Sequence, residues 1–248
     1  MYHKIRWTAE KIGRRIELLE KLVYRRKSDL PLFRIHLVPD SKPDTPLVNP
    51  EVDDSTWPIV EPYSYWGSWQ SNFTLRSTFQ CPAGWSTDTP IALYLPLGES
   101  GDFSHPEALV YIDGIPYAGC DRHHQEILLP EQYLDGKPHV LALQGWTGKG
   151  EGHFPLPGTK LFMRPCQIVQ IDQSTRDFLT TARVALGVAT TIEENHPAKG
   201  HLLNALDEAF KFLDIREPFG ENFYNSVPVA HEALKAGIDK AGSALDIR

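Results

Sequence analysis

The sequence predicts a mainly β protein, in which an antiparallel β-sandwich lies between one N-terminal helix and several C-terminal helices. Residues 73–172 alternate apolar and polar side chains in short runs separated by Gly, Pro and Asp, which is typical of antiparallel strands. The flanking segments instead repeat apolar residues every three to four positions, the period of a helix. We therefore divide the 248 residues into four segments: an N-terminal helix 1–27, a proline-rich extended arm 28–72, the β-sandwich 73–172 and a helical connector 173–248.

The first two segments are predicted to be an amphipathic helix and an extended arm. Ile12, Ile16 and Leu19 recur at intervals of four and three residues and so share one helix face, and we expect the Arg-Arg-Lys run at residues 25–27 to end this helix. Seven of the 20 prolines lie between residues 31 and 62, and each removes a backbone donor and disfavours helix in the preceding residue. The arm is also rich in Trp and Tyr, so we expect it to pack against the sandwich.

The sandwich segment is predicted to hold about seven short strands. Phe73, Leu75 and Phe79 alternate with polar residues and define the first of them. Asp113-Gly114 separates two further apolar runs and predicts a hairpin, because a type I′ turn needs positive φ at both central positions.

Three helices are predicted after the sandwich. Ser174 and Asp177 form a capping-box pattern at the start of the first helix. Pro197 separates the second helix from the first, and the third helix is expected to begin near Pro228.

Composition and charge exclude several classes of function. The net charge of −7 argues against general nucleic-acid binding, which needs clustered Lys and Arg. No apolar run suits a signal peptide or approaches the ~20 residues of a membrane span, so we expect no membrane partner. Three widely spaced cysteines fit unpaired thiols in a reducing compartment, and we expect a cytoplasmic protein.

A search for catalytic motifs assigns no catalytic residue and no metal ligand. No HExxH, CxxC or GxSxG pattern occurs. A thiol or metal centre built from Cys120, Asp121, His123 and Glu126 is the least favoured hypothesis, because neither a metal-ligand spacing nor a base near the thiol is visible. The adjacent carboxylates Asp53-Asp54 and Glu193-Glu194 are interpreted as solvated surface.

The remaining candidate is an aromatic cluster, since four of the six Trp residues lie between residues 57 and 85. Trp66 and Trp69 are the predicted carbohydrate contacts, because aromatic faces stack on the apolar faces of sugars. The favoured alternative is that these rings fix the arm to the sandwich and bury large apolar areas.

Five sequence segments together resemble the start of glycoside hydrolase family 38, and most closely its cytosolic and vacuolar α-mannosidases. They are residues 66–69 (Trp-Gly-Ser-Trp), 73–76 (Phe-Thr-Leu-Arg), 79–85 (Phe-Gln-Cys-Pro-Ala-Gly-Trp), 107–116 (Glu-Ala-Leu-Val-Tyr-Ile-Asp-Gly-Ile-Pro) and 121–127 (Asp-Arg-His-His-Gln-Glu-Ile). The likeness covers nearly the whole chain, because the helices after residue 174 resemble the family's connector to its catalytic barrel.

The resemblance implies that the parent enzyme is a retaining α-mannosidase. Its catalytic domain would bind zinc and would begin with a Gly-His-x-His-Ile-Asp motif. No position of this sequence matches that motif, so no cofactor is expected in this chain, and its end at Arg248 suggests a truncated or split product. The implied role is a non-catalytic N-terminal portion with a jelly-roll, galactose-binding-like sandwich, whose partners are the catalytic domain or other subunits of the parent. The alternative is an autonomous carbohydrate-binding module for mannose-containing glycans.

Overall fold

The computed structural model describes five stretches of the chain: residues 8–38, 47–67, 70–98, 105–148 and 161–242. The chain divides into two compact units. One contains residues 26–170 and is the β-sandwich unit; the other joins residues 1–25 to residues 171–248 and is the helical unit.

This division differs from the four consecutive segments predicted from the sequence. The N-terminal helix shares a core with the C-terminal helices, and the predicted arm supplies strands to the sheets of the sandwich unit. The sequence predicts that the arm packs against the sandwich, but it predicts neither that the arm contributes strands nor that the N-terminal helix joins the C-terminal helices. Both associations join residues far apart in the chain, whereas hydrophobic periodicity reports only local structure.

The described residues form twelve strands and a short 3-10 helix, Glu131–Tyr133. The strands are β1 (Tyr24–Asp29), β2 (Phe33–Val38), β3 (Ile59–Val60), β4 (Tyr65–Trp66), β5 (Asn72–Phe79), β6 (Ile91–Tyr94), β7 (Glu107–Ile112), β8 (Ile115–Cys120), β9 (Glu126–Leu128), β10 (His139–Trp146), β11 (Leu161–Phe162) and β12 (Gln167–Ile171).

These strands form two main sheets and one small one. The six-stranded sheet has the order β3-β2-β5-β10-β7-β8, with every neighbouring pair antiparallel. The four-stranded sheet has the order β1-β12-β6-β9, and β4 pairs with β11. The predicted β-rich class, antiparallel sheets accompanied by helices, is confirmed.

The core of the sandwich unit follows from alternation along the central strands. On β5, Phe73 and Leu75 are fully buried, and both belong to one apolar cluster with Leu93 of β6 and Ile168 of β12. The cluster therefore joins side chains of both main sheets. Gly145 on β10 faces Phe73, and a Cβ at this position would overlap the carbonyl oxygen of Glu107, so the strands pack closely here.

The β7–β8 hairpin forms as the sequence predicts. Asp113 and Gly114 have φ angles of 51° and 81°, the positive values that a type I′ turn requires. The Asp113 carboxylate also accepts the backbone N–H of Val140, at an Oδ1···N distance of 2.8 Å, and so ties the turn to β10.

The helical unit contains α1 (Thr8–Glu20), α2 (Gln173–Thr191), α3 (Pro197–Lys211) and α4 (Glu221–Gly242). Their shared apolar core includes Ile12 of α1, Leu179 of α2, Leu206 of α3 and Leu234 of α4. The helices pack closely where Gly237 of α4 faces α3. Among the described residues, no helix has the length and apolarity needed to cross a membrane.

Three predicted helix boundaries are wrong. The first helix ends at Glu20, and the basic run at residues 25–27 lies on β1 instead. The cap of α2 is Asp172, whose carboxylate accepts the Thr175 N–H at 2.8 Å. Pro228 lies inside α4 rather than at its start, because buried Phe223 and Val227 anchor the preceding turns and offset the missing proline N–H.

Candidate functional site

The two main sheets are bonded to each other along one side of the sandwich unit and leave a cleft along the other. On one side, β8 and β9 approach each other, and the Tyr117 hydroxyl donates to the carbonyl oxygen of Leu128 at 2.6 Å. On the other side, the edge strands are β1 and β3. Here lies a cleft of about 310 Å³, which we call the open-side cleft.

Three short segments line the open-side cleft: residues 29–33, which join β1 to β2; residues 60–63, which begin at the end of β3; and residues 163–167, which lead into the start of β12. The Leu30 N–H donates to the carbonyl oxygen of Cys166 at 2.9 Å. Each segment contains one proline, which fixes φ locally. The rim is therefore held by backbone hydrogen bonds and restricted dihedrals, and its shape is largely preformed.

Tyr63 is the exposed aromatic residue of this rim. The residue is 68% exposed, and its backbone has a φ of 60°. For a non-glycine residue, this left-handed conformation costs roughly 1–2 kcal/mol. Two hydrogen bonds with Met163 maintain it: the Tyr63 N–H donates to the Met163 oxygen at 2.8 Å, and the Met163 N–H donates to the oxygen of the next residue, Ser64, at 2.9 Å. The backbone thus holds a large ring outward at the cleft.

Polar groups face the same cleft. The Gln167 amide donates from Nε2 to Oδ1 of Asp29 at 2.7 Å, and Arg164 also lines the cleft. The open-side cleft therefore combines an aromatic ring, a carboxylate–amide pair and a guanidinium group on rigid segments.

A second cleft, of about 470 Å³, lies beside the first and shares Asp29, Leu30 and Pro31 with it. Its one aromatic lining residue is Phe79, which is buried. It therefore offers no exposed ring to a ligand.

The prediction that Trp66 contacts carbohydrate at the surface is wrong, because this residue is buried. Trp66 is 4% exposed, its indole N–H donates to the Leu97 oxygen at 2.6 Å, and its ring packs edge-on against Phe73. The side chain belongs to the apolar core, because its position on β4 turns it inward. Trp69 lies outside the described residues.

The loop from Cys120 to Glu126 does not form the centre considered from the sequence. The Asp121 carboxylate accepts the N–H groups of His123 and His124 and faces the His124 ring, and these bonds, that from the His124 ring first, lower the Asp121 pKa to about 2. Burial, followed by the nearby Asp121 charge, raises the pKa of the Cys120 thiol to about 12, so the thiol stays protonated at neutral pH. Within the described stretches, no three His, Cys, Asp or Glu residues are grouped to hold a metal ion.

Asp54, interpreted as solvated surface, instead pairs with a buried charge. Its Oδ2 lies 2.8 Å from Nε of Arg76, whose side chain is 3% exposed and projects from the outer face of β5. The Arg76 guanidinium also donates to the carbonyl oxygens of Leu47 and Asn49. Arg76 therefore fixes a segment of the predicted arm onto the six-stranded sheet.

Sequence reasoning also missed a polar cluster around His139. This ring is 11% exposed; Nδ1 lies 2.7 Å from the Asp113 carboxylate, and Nε2 lies 3.1 Å from that of Asp135. Phe79 stacks on the ring at 5.4 Å between centroids. Two Asp-Gly turns, at residues 113–114 and 135–136, were the available signal. The cluster ties both turns to the start of β10.

No protein-family model matches this chain, and no curated protein matches it in sequence. The class of ligand must therefore be inferred from the residues that line the open-side cleft. They form a preformed concave surface with one exposed ring and a few convergent polar groups, as small-molecule sites commonly have.

Proposed function

We propose that the chain is the non-catalytic N-terminal portion of a glycoside hydrolase family 38 α-mannosidase, with a structural and assembly role. The observation that carries the proposal is the proximity of two of the segments that resemble the family. Residues 73–76 lie on β5 and residues 107–116 form the β7–β8 hairpin, and only β10 separates them in one sheet.

The contacts of Arg76 support this assignment. A charged residue in the Phe-Thr-Leu-Arg segment is costly to bury unless it is paired. Here the side chain bonds Asp54 and two backbone oxygens of the preceding segment. These contacts explain why Leu and Arg follow each other in the segment that resembles the family. Leu75 enters the core, and Arg76, on the opposite face of β5, binds the arm.

The order of strands supports the jelly-roll, galactose-binding-like form of the sandwich. In the six-stranded sheet, β5 lies between β2 and β10, so strands distant in sequence are neighbours, as in Greek-key and jelly-roll sheets. The three cysteines are unpaired and buried, which supports the proposed cytoplasmic location, where thiols remain reduced.

Exposed apolar side chains on the helical unit support an assembly role. Phe212, Ile215 and Phe219, in the connection between α3 and α4, are each about half exposed or more. We propose that these three residues, which lie close together in the chain, form one contact surface, because a contiguous exposed apolar patch commonly marks a protein contact. The proposed partners are the catalytic domain, which would hold the zinc, or other subunits of the parent enzyme.

Two measurements test the proposal. The purified chain is expected to release no aryl alcohol from an aryl α-mannoside in the presence of zinc, and it is expected to co-elute with a separately expressed family 38 catalytic domain. A Phe212→Ser/Ile215→Ser variant should weaken the association, whereas Val184→Ser, on the exposed face of α2, serves as the matched control. Turnover by the chain alone, or independent elution of the two proteins, would contradict the proposal.

A further inference from the structure

We propose that the open-side cleft binds one neutral pyranose ring, with Tyr63 stacked on its apolar face and the Asp29–Gln167 pair bonded to its hydroxyl groups. The carbohydrate site is distinct from the assembly role above. It also differs from the site predicted at Trp66, which lies in the core.

The size of the cleft sets the size of the ligand. Its volume of about 310 Å³ is at the lower end of small-molecule sites, which span roughly 300–1,000 Å³. A cleft of this size suits a single ring and excludes a folded oligosaccharide. The prolines at positions 31, 62 and 165 hold the rim, so little conformational entropy is lost on binding.

Tyr63 provides the stacking surface. Tyr63 is 68% exposed, so most of this amphipathic side chain is open to a ligand. The two hydrogen bonds with Met163 hold the backbone at a strained positive φ. Strain of this kind is concentrated at ligand-binding positions, where the surrounding structure maintains it. A rigid, outward aromatic ring is complementary to the C–H face of a pyranose.

The polar groups define the rest of the chemistry. The Asp29–Gln167 bond uses one carboxylate oxygen and one amide proton, and each side chain has further hydrogen-bonding capacity. A carboxylate accepts from a hydroxyl, and an amide both donates and accepts, which matches adjacent sugar hydroxyls. Asp29 and Arg164 carry opposite charges. The carboxylate disfavours an anionic ligand and the guanidinium disfavours a cationic one, so the cleft favours a neutral ligand.

The experiment titrates the full chain with methyl α-mannopyranoside, methyl α-glucopyranoside and mannitol, followed by saturation-transfer NMR and calorimetry. Mannitol is the ligand control, because it carries the hydroxyl groups without a rigid apolar ring face. Saturation transfer to at least one pyranoside, and none to mannitol, is the expected result. Equal transfer to all three, or none to any, overturns the proposal.

Tyr65 supplies a matched protein control. It is 67% exposed, lies two residues from Tyr63 and contacts Phe162 outside the cleft lining. We expect Tyr63→Ala to weaken binding about 10-fold and Tyr63→Phe to preserve it, while Tyr65→Ala leaves it unchanged. Asp29→Asn, which keeps the side-chain shape, should also weaken binding and tests the polar half independently of the ring. Equal loss in Tyr63→Ala and Tyr65→Ala, or full binding by both Tyr63→Ala and Asp29→Asn, would refute the assignment.

Discussion

Substitution of Asp54 by alanine is expected to destabilise the sandwich unit by leaving Arg76 as a buried charge without its carboxylate. Removing one partner of a fully buried ion pair costs about 3–5 kcal/mol. Here the Asp54 side chain is 29% exposed, and Arg76 keeps two carbonyl acceptors. Solvent screening and these remaining bonds reduce the expected loss in unfolding free energy to about 2 kcal/mol.

Urea denaturation followed by tryptophan fluorescence measures this loss. Five of the six Trp residues lie within residues 26–170, so the signal reports mainly on the sandwich unit. Adjacent Asp53 is the matched control, because it is exposed and makes a local turn contact with Ser55. We expect Asp53→Ala to change the unfolding free energy by less than about 1 kcal/mol.

A double-mutant cycle separates the ion pair from simple loss of packing. Arg76→Met removes the charge and keeps an apolar stem of similar length. If the buried charge causes the effect, Asp54→Ala should cost much less in the Arg76→Met background than in the native one. Equal costs in the two backgrounds, or equal effects of Asp53→Ala and Asp54→Ala, would refute the reasoning.

Three further substitutions have defined outcomes. Trp66→Ala should lower the unfolding free energy by about 3–5 kcal/mol in urea, because it empties part of the core and removes the hydrogen bond to Leu97; folding at native stability would contradict the assigned burial. Gly145→Ala should reduce the melting temperature measured by circular dichroism, because its Cβ overlaps backbone atoms of β7, and an unchanged temperature would contradict this packing. The raised Cys120 pKa adds stability that is complete below about pH 9 and declines as pH rises towards 12, because the unfolded thiol ionises first. Cys120→Ala should therefore flatten the alkaline fall in unfolding free energy, and an unchanged pH profile would contradict it.

The features predictable from the sequence are those that local pattern determines. Alternation on β5 predicts which side chains enter the core, and Asp113-Gly114 predicts a hairpin because few other residue pairs tolerate two positive φ angles. In contrast, β2 follows Pro31 closely, and its pairing with β5 spans about 40 residues. The proline content of this region concealed the strand, since it signals extended structure without indicating a partner.

The candidate site shows the same limit. Tyr63 and Trp66 lie three residues apart, and from the sequence Trp66 is predicted as the surface contact whereas Tyr63 is not. Their different environments depend on the contacts with Met163 and Leu97, both distant in the chain. No local signal distinguishes a ring held outward at a left-handed residue from one turned into the core.

Because Tyr63 is exposed and Trp66 is buried, the structural hypothesis and the carbohydrate hypothesis can be tested independently. Loss of sugar binding in Trp66→Ala would be uninformative, because a core cavity disturbs every site of the unit. Tyr63→Ala removes a ring that is mostly in solvent, so its effect on stability should be small. A variant that keeps native stability and loses pyranoside binding would therefore assign recognition to the open-side cleft, while the buried Trp66 and Arg76 continue to hold the arm that shapes it.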